Sequence, residues 1–136
     1  MILYLSADLL WGTRIKGTAE ALGIGARPVR SLEMLEARLA DSPVHALVVD
    51  LEALDVGLAL IHRLRGSRAT PTERGIKVLA FGPHVEVEAF EQAREAGADK
   101  VLPRGAFSAR LPEWLAALDQ EERPLDAAAG GLPTEE

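Results

Sequence analysis

The sequence predicts an α/β fold, a parallel sheet wound on both faces by helices, from two observations. Short continuous apolar runs, Ile2 to Leu5, Ala46 to Val49 and Ile76 to Phe81, show no polar alternation, as expected of strands covered on both faces. Each run is followed by apolar residues at helical spacing, closed by glycine or proline. The stretch His45-Ala46-Leu47-Val48-Val49-Asp50 is the centre of this pattern. It ends on a carboxylate at a strand's carboxyl end, the edge where open α/β sheets bind ligands.

The first strand, Ile2 to Leu5, runs into Ser6-Ala7-Asp8, a second carboxylate in a comparable position. Trp11, Ile15, Ala19 and Leu22 then form one face of a helix closed by Gly23. Ala26 to Val29 is a weaker strand containing Pro28, which cannot donate to a ladder and so belongs at a sheet edge. Ser31 is placed to cap a helix with Leu32, Leu35 and Leu39 inward, ended by Asp41-Ser42-Pro43. After Asp50 the face Leu54, Leu58, Ile61 and Leu64 predicts a third helix, and Gly66 to Gly75 reads as a loop. The strand Ile76 to Phe81 ends at Gly82-Pro83, and Ala89, Ala93 and Ala96 line a fourth helix stopped at Gly97. Val101 and Leu102 make a fifth strand before Pro103. A last helix starts near Pro112 and buries Leu111, Trp114, Leu115 and Leu118.

Five strands alternating with five helices give a doubly wound five-stranded parallel sheet with helices on both faces. The uninterrupted strands one, three and four should be central, and strands two and five, with their prolines, edges. That is the flavodoxin-like order 2-1-3-4-5, whose switch point between strands one and three sets Asp8 beside Asp50.

With 136 residues, 48% of them hydrophobic, the chain suits one domain, expected over 1–120. The tail 121–136, composed mainly of Ala, Gly, Pro and acids, is expected to be disordered or loosely attached. The absence of cysteine excludes disulfides and thiolate metal sites. Met1 leads directly into a strand, with no signal peptide and no membrane-spanning run, and a cytoplasmic location is expected. A net charge of -6 argues against a nucleic-acid partner. The basic concentration at Arg63, Arg65, Arg68 and Arg74 reads as a solvated loop. His45, His62 and His84 lack metal-ligand spacing, Trp11 and Trp114 fall on core stripes, and no glycine-rich phosphate loop follows strand one.

Leu47-Val48-Val49-Asp50, Gly57 to Arg65 and Ala93-Arg94-Glu95-Ala96-Gly97-Ala98-Asp99 resemble the bacterial response-regulator receiver domain, over Met1 to Leu118. The resemblance implies a phosphoacceptor at Asp50, charged from a kinase phosphohistidine in two-component signalling or a phosphorelay. It also implies a magnesium site of Asp8, Asp50 and the backbone carbonyl of Glu52. Several parts of that chemistry are replaced. The first of the paired acids aligns with Ala7, the hydroxyl residue ending strand four with Gly82, and the aromatic switch residue on strand five with Val101. The lysine after strand five aligns with Arg104, which keeps the charge but not the shape.

Phosphoryl transfer depends on a full set of charges around the transferring group, and magnesium on near-ideal octahedral geometry. The departures therefore imply a pseudo-receiver: a non-enzymatic, phosphorylation-impaired domain with at most a weak magnesium site, acting through protein–protein interaction. Its partner would be a kinase or downstream target, with helix four, strand five and helix five as the docking or homodimer face. A working phosphoacceptor response regulator is the alternative, and a small enzyme or nucleotide-binding domain on the same fold the third reading. Arg104 is expected to lie between Asp8 and Asp50, replacing a metal by an internal ion pair.

Overall fold

The computed structural model describes residues 1–120; the expectation for the tail 121–136 lies outside the described residues. Five parallel strands form one sheet in the order β2-β1-β3-β4-β5, with β1 at Ile2–Leu5, β2 at Ala26–Pro28, β3 at Ala46–Asp50, β4 at Lys77–Gly82 and β5 at Lys100–Pro103. This is the order that the prolines and the apolar runs predict. β1, β3 and β4 are buried at every position, while β2 is partly exposed and, like β5, lies at an edge.

The helices are α1 (Leu9–Ala21), α2 (Leu32–Asp41), α3 (Leu54–Arg65), α4 (Pro71–Arg74), α5 (Val87–Ala96), α6 (Arg104–Ala109) and α7 (Leu111–Leu118), with a 3-10 turn at Leu51–Ala53. Ser31 caps α2 through the Met34 N–H, as its position predicts. α5 ends at Gly97, whose φ of 116° places it in the left-handed region that glycine tolerates. Two helices depart from the sequence reading. The polar stretch 66–75 is not all loop: Thr70 accepts the Glu73 N–H while the Glu73 side chain accepts the Thr70 N–H, and this capping box starts α4 with Pro71 in its first turn. Arg104 enters α6 directly from β5, and Phe107 on that helix is fully buried.

Alternation along the strands divides the core between the two faces of the sheet. Ile2, Tyr4, Val48, Leu79, Phe81 and Leu102 pack with Trp11 and Ile15 of α1, Phe107 of α6, and Leu111, Trp114, Leu115 and Leu118 of α7. Leu3, Leu5, Leu47, Val49, Val78 and Ala80 pack with Leu35 of α2, Leu60, Ile61 and Leu64 of α3, and Ala89, Phe90 and Ala93 of α5. Helix α3 turns a slightly different stripe inward from the expected one, with Gly57 and Leu60 buried and Leu54 and Leu58 only partly so. The cause lies at Gly57, where an added Cβ would stand 2.6 Å from Val49 Cγ1, so glycine lets the helix sit directly on β3. Leu32 of α2 is exposed rather than inward.

The arginines around the α3–α4 connection are structural rather than solvated. Arg63 is clamped between Glu36 and Glu73 at 2.6 and 2.8 Å. Arg65 donates to the carbonyls of Gly97 and Ile76 and to Asp99 Oδ2 at 2.9 Å, the same oxygen that accepts the Val78 N–H. Arg74 donates to the carbonyls of Arg65 and Gly66 that end α3. Arg68 and Arg74 are the exposed members of the four.

Candidate functional site

The site forms where β1 and β3 end side by side. Leu5 pairs with Val49 and Asp50 with Phe81, so the corner Ser6-Ala7-Asp8 lies next to Asp50. Asp50 is fully buried, and both carboxylate oxygens are engaged by the backbone: Ala7 donates its N–H to Oδ2 at 2.9 Å, and Glu52 donates to Oδ1 at 3.0 Å. Burial pushes the Asp50 carboxyl above its ordinary range, outweighing these two hydrogen bonds; Glu52 raises it further and the charge of Arg104 lowers it.

Asp8 occupies the expected corner but serves α1. It is exposed, and its Oδ1 accepts the Trp11 N–H at 2.8 Å as the helix N-cap. The expectation that Arg104 joins the two aspartates is corrected by the geometry. The Arg104 guanidinium donates instead to Glu52 Oε2 at 2.5 Å, with Asp50 and Asp8 acting on it at longer range. Glu52 reaches it because the 3-10 turn after Asp50 carries that side chain toward the start of α6. The sequence reading uses only the backbone carbonyl of Glu52; an acid two residues after Asp50, opposite a basic residue after strand five, is the signal it leaves unused.

The aligned positions carry the expected gaps. Ala7 bears no acid, and Val101 lies in the apolar core on the α3 and α5 side of the sheet. At Gly82 the structure adds something that the alignment does not show. A Cβ there would meet Leu51 Cβ at 3.1 Å and Phe90 Cε1 at 3.6 Å, and both neighbours are buried. The space in which a hydroxyl side chain would stand is bordered by apolar groups.

The two aspartates of the expected magnesium site already have backbone partners. Among the described residues no group of three or more His, Asp or Glu side chains gathers to hold a metal. Asp8 caps a helix, Asp50 accepts two backbone N–H groups, and Glu52 is paired with Arg104. Magnesium would demand octahedral oxygen geometry from the Glu52 backbone carbonyl and two aspartates that already accept backbone N–H groups. His62 and His84 are exposed, and His45 lies at the opposite end of β3 from Asp50, 3.5 Å from Asp119. Trp11 and Trp114 are core residues, as their spacing predicts.

No protein-family profile matches the chain, and no curated protein matches it. Solved structures do match. A response regulator from Thermotoga maritima superposes with a TM-score of 0.68 at 16% identity, covering 86% of this chain and 94% of the other. A response regulator protein from Burkholderia pseudomallei, with a phosphorylated aspartic acid, calcium ion and citrate, gives 0.67 at 18% identity, covering 96% and 72%. The receiver domain of Saccharomyces cerevisiae Ssk1, in complex with the histidine phosphotransfer protein Ypd1, gives 0.65 at 12% identity, covering 91% and 94%. What these proteins share with this chain is the receiver fold. Among the described residues no helix is long and apolar enough to cross a membrane.

Proposed function

We propose that the chain is a receiver-type signalling domain whose phosphoacceptor chemistry is impaired, and that it acts as a non-enzymatic protein-interaction module. The observation that carries this reading is Gly82, which has no hydroxyl and has Leu51 packed against it. The missing acid at Ala7 and the commitment of Glu52 to Arg104 support it. Phosphoryl transfer is catalysed almost entirely by positioning and charge, so the loss of several such groups removes most of the rate. Magnesium binding at Asp8, Asp50 and Glu52 would be weak at most.

The partner is proposed to be a protein, either a kinase or a downstream target, with no nucleic acid or membrane involved; the net charge of -6 supports this. The docking or homodimer face is proposed to be α5, β5 and α7, the fourth long helix, fifth strand and last helix of the chain. Exposed charged residues there, Glu91 and Arg94 on α5, Arg110 just before α7 and Glu113 in its first turn, suit a polar interface.

One observation favours the alternative, a working phosphoacceptor: Asp50 ends β3 at the switch point, as an acceptor would, with the charge of Arg104 nearby. Intact-mass measurement after exposure to acetyl phosphate and magnesium separates the two. The proposed reading expects slow or no addition of a phosphoryl group. Rapid stoichiometric gain that vanishes in Asp50→Ala establishes the alternative.

A further inference from the structure

We propose that the groove between β1, the first turns of α1 and the turn after β2 is a binding site for a small phosphate-bearing molecule. The cavity has a volume of about 540 Å³ and is lined by Tyr4, Ser6, Thr13, Lys16, Pro28 and Arg30, among others, within the size range of small-ligand sites. It opens at the carboxyl ends of β1 and β2, the edge at which doubly wound sheets bind ligands, and on the side of β1 away from Asp50.

Its cations are uncommitted. Arg63, Arg65, Arg74 and Arg104 are all tied to carboxylates or carbonyl oxygens. Lys16 and Arg30, in contrast, make no side-chain hydrogen bond or ion pair among the described residues. They reach the groove from two different elements, a point charge from α1 and a planar fork from the turn after β2, a pairing suited to phosphate oxygens. Asp8, the acid on this lining, is held as the cap of α1 by the Trp11 N–H, and the positive end of the α1 dipole lies at the same corner. Gly12 keeps the floor open, because a Cβ there would come within 2.9 Å of Ser6 Oγ and 3.7 Å of Tyr4 Cε2. Pro28 and the Tyr4 ring offer an apolar wall to the organic part of a phosphate ester.

The test is an amide NMR titration of the full chain with pyrophosphate, adenosine monophosphate and adenosine, at about 0.15 M salt to screen diffuse attraction. Saturable shifts centred on Thr13, Lys16 and Arg30 are expected with the two phosphates and not with adenosine. The variant Lys16→Gln/Arg30→Gln, which changes only exposed side chains, should weaken binding about tenfold or more, the scale of a lost charge-assisted hydrogen bond. The control Arg27→Gln/Arg68→Gln removes the same charge from exposed positions outside the groove lining and should bind as the parent does. The proposal is overturned by absence of saturation with both phosphates at about 10 mM, weaker than any useful affinity. Equal binding of adenosine, or equal losses in the two double variants, overturns it as well.

Discussion

Asp50 is pulled two ways: two backbone N–H groups favour its charged form, and complete burial disfavours it, with burial the larger. Its carboxyl in the folded chain is therefore raised above the ordinary value of 3.8, so the native state takes up this proton before the unfolded chain does as pH falls. The contribution of Asp50 to stability is greatest below the unfolded value and is lost as pH rises through the folded one. The stability of the parent relative to Asp50→Asn, from urea unfolding at stepped pH, should rise on acidification from neutrality toward pH 4. A constant or falling difference would contradict a raised carboxyl. Arg104 and Glu52 lead to a second expectation at this scale. Both side chains are more than a third exposed, 37% and 43%, so solvent screens the pair despite its short contact. A double-mutant cycle with Arg104→Ala and Glu52→Ala should return a coupling of about 1 kcal/mol or less. The cycle of Arg104→Ala with Asp50→Asn should be smaller still, because the guanidinium hydrogen bond goes to Glu52. A larger coupling to Asp50 would restore the arrangement that the sequence suggests.

At the scale of elements, the β3–α3 connection determines what the site can do. Leu51 begins the 3-10 turn and is 4% exposed, folded down against Gly82 at the end of β4 and Phe90 on α5. Restoring a hydroxyl by Gly82→Thr should therefore crowd Leu51 before it helps any phosphoryl group. Overpacking of this kind costs about 1–3 kcal/mol, and chemical denaturation should show that loss without faster acetyl phosphate modification of Asp50. A Gly82→Thr chain that gains phosphorylation at undiminished stability would mean that Leu51 moves aside freely. The site's legibility follows the same line. Asp50 and Asp8 are visible in the sequence because strand ends can be counted, and the vacancies at Ala7 and Gly82 only through the resemblance to receiver domains. The filling of a vacancy by Leu51, and the choice of Glu52 by Arg104, depend on how a three-residue turn aims its side chains, and no periodicity records that. The capping box Thr70-Pro71-Thr72-Glu73 is a readable helix signal hidden by its polar surroundings. Helix α6 shows little pattern of its own, with one buried residue, Phe107, in six.

Across the whole molecule, the sheet order is legible because the buried central strands are apolar between their ends, with charge only at Lys77 and Asp50, while the edges tolerate Pro28 and Pro103. The same burial makes the two halves of the core depend on each other. Trp11, Phe81 and Phe107 pack together with ring centroids 4.5 to 5.7 Å apart on the α1 face, and Trp114 lies in the same layer. Tryptophan fluorescence therefore reports on that face alone, while circular dichroism reports on helices of both. Ile61 of α3 lies fully buried in the opposite layer, on the other side of the sheet from both tryptophans. Ile61→Ala should cost about 2–5 kcal/mol through lost burial and the cavity left behind. Because β1, β3 and β4 each give alternate side chains to both layers, the α1 face cannot stay ordered once the α3 face opens. The fluorescence and dichroism midpoints of Ile61→Ala should fall together, by the same amount, in one cooperative transition. A dichroism transition that precedes the fluorescence change would show the α3 layer melting first and the sheet acting as a partition between two separate cores.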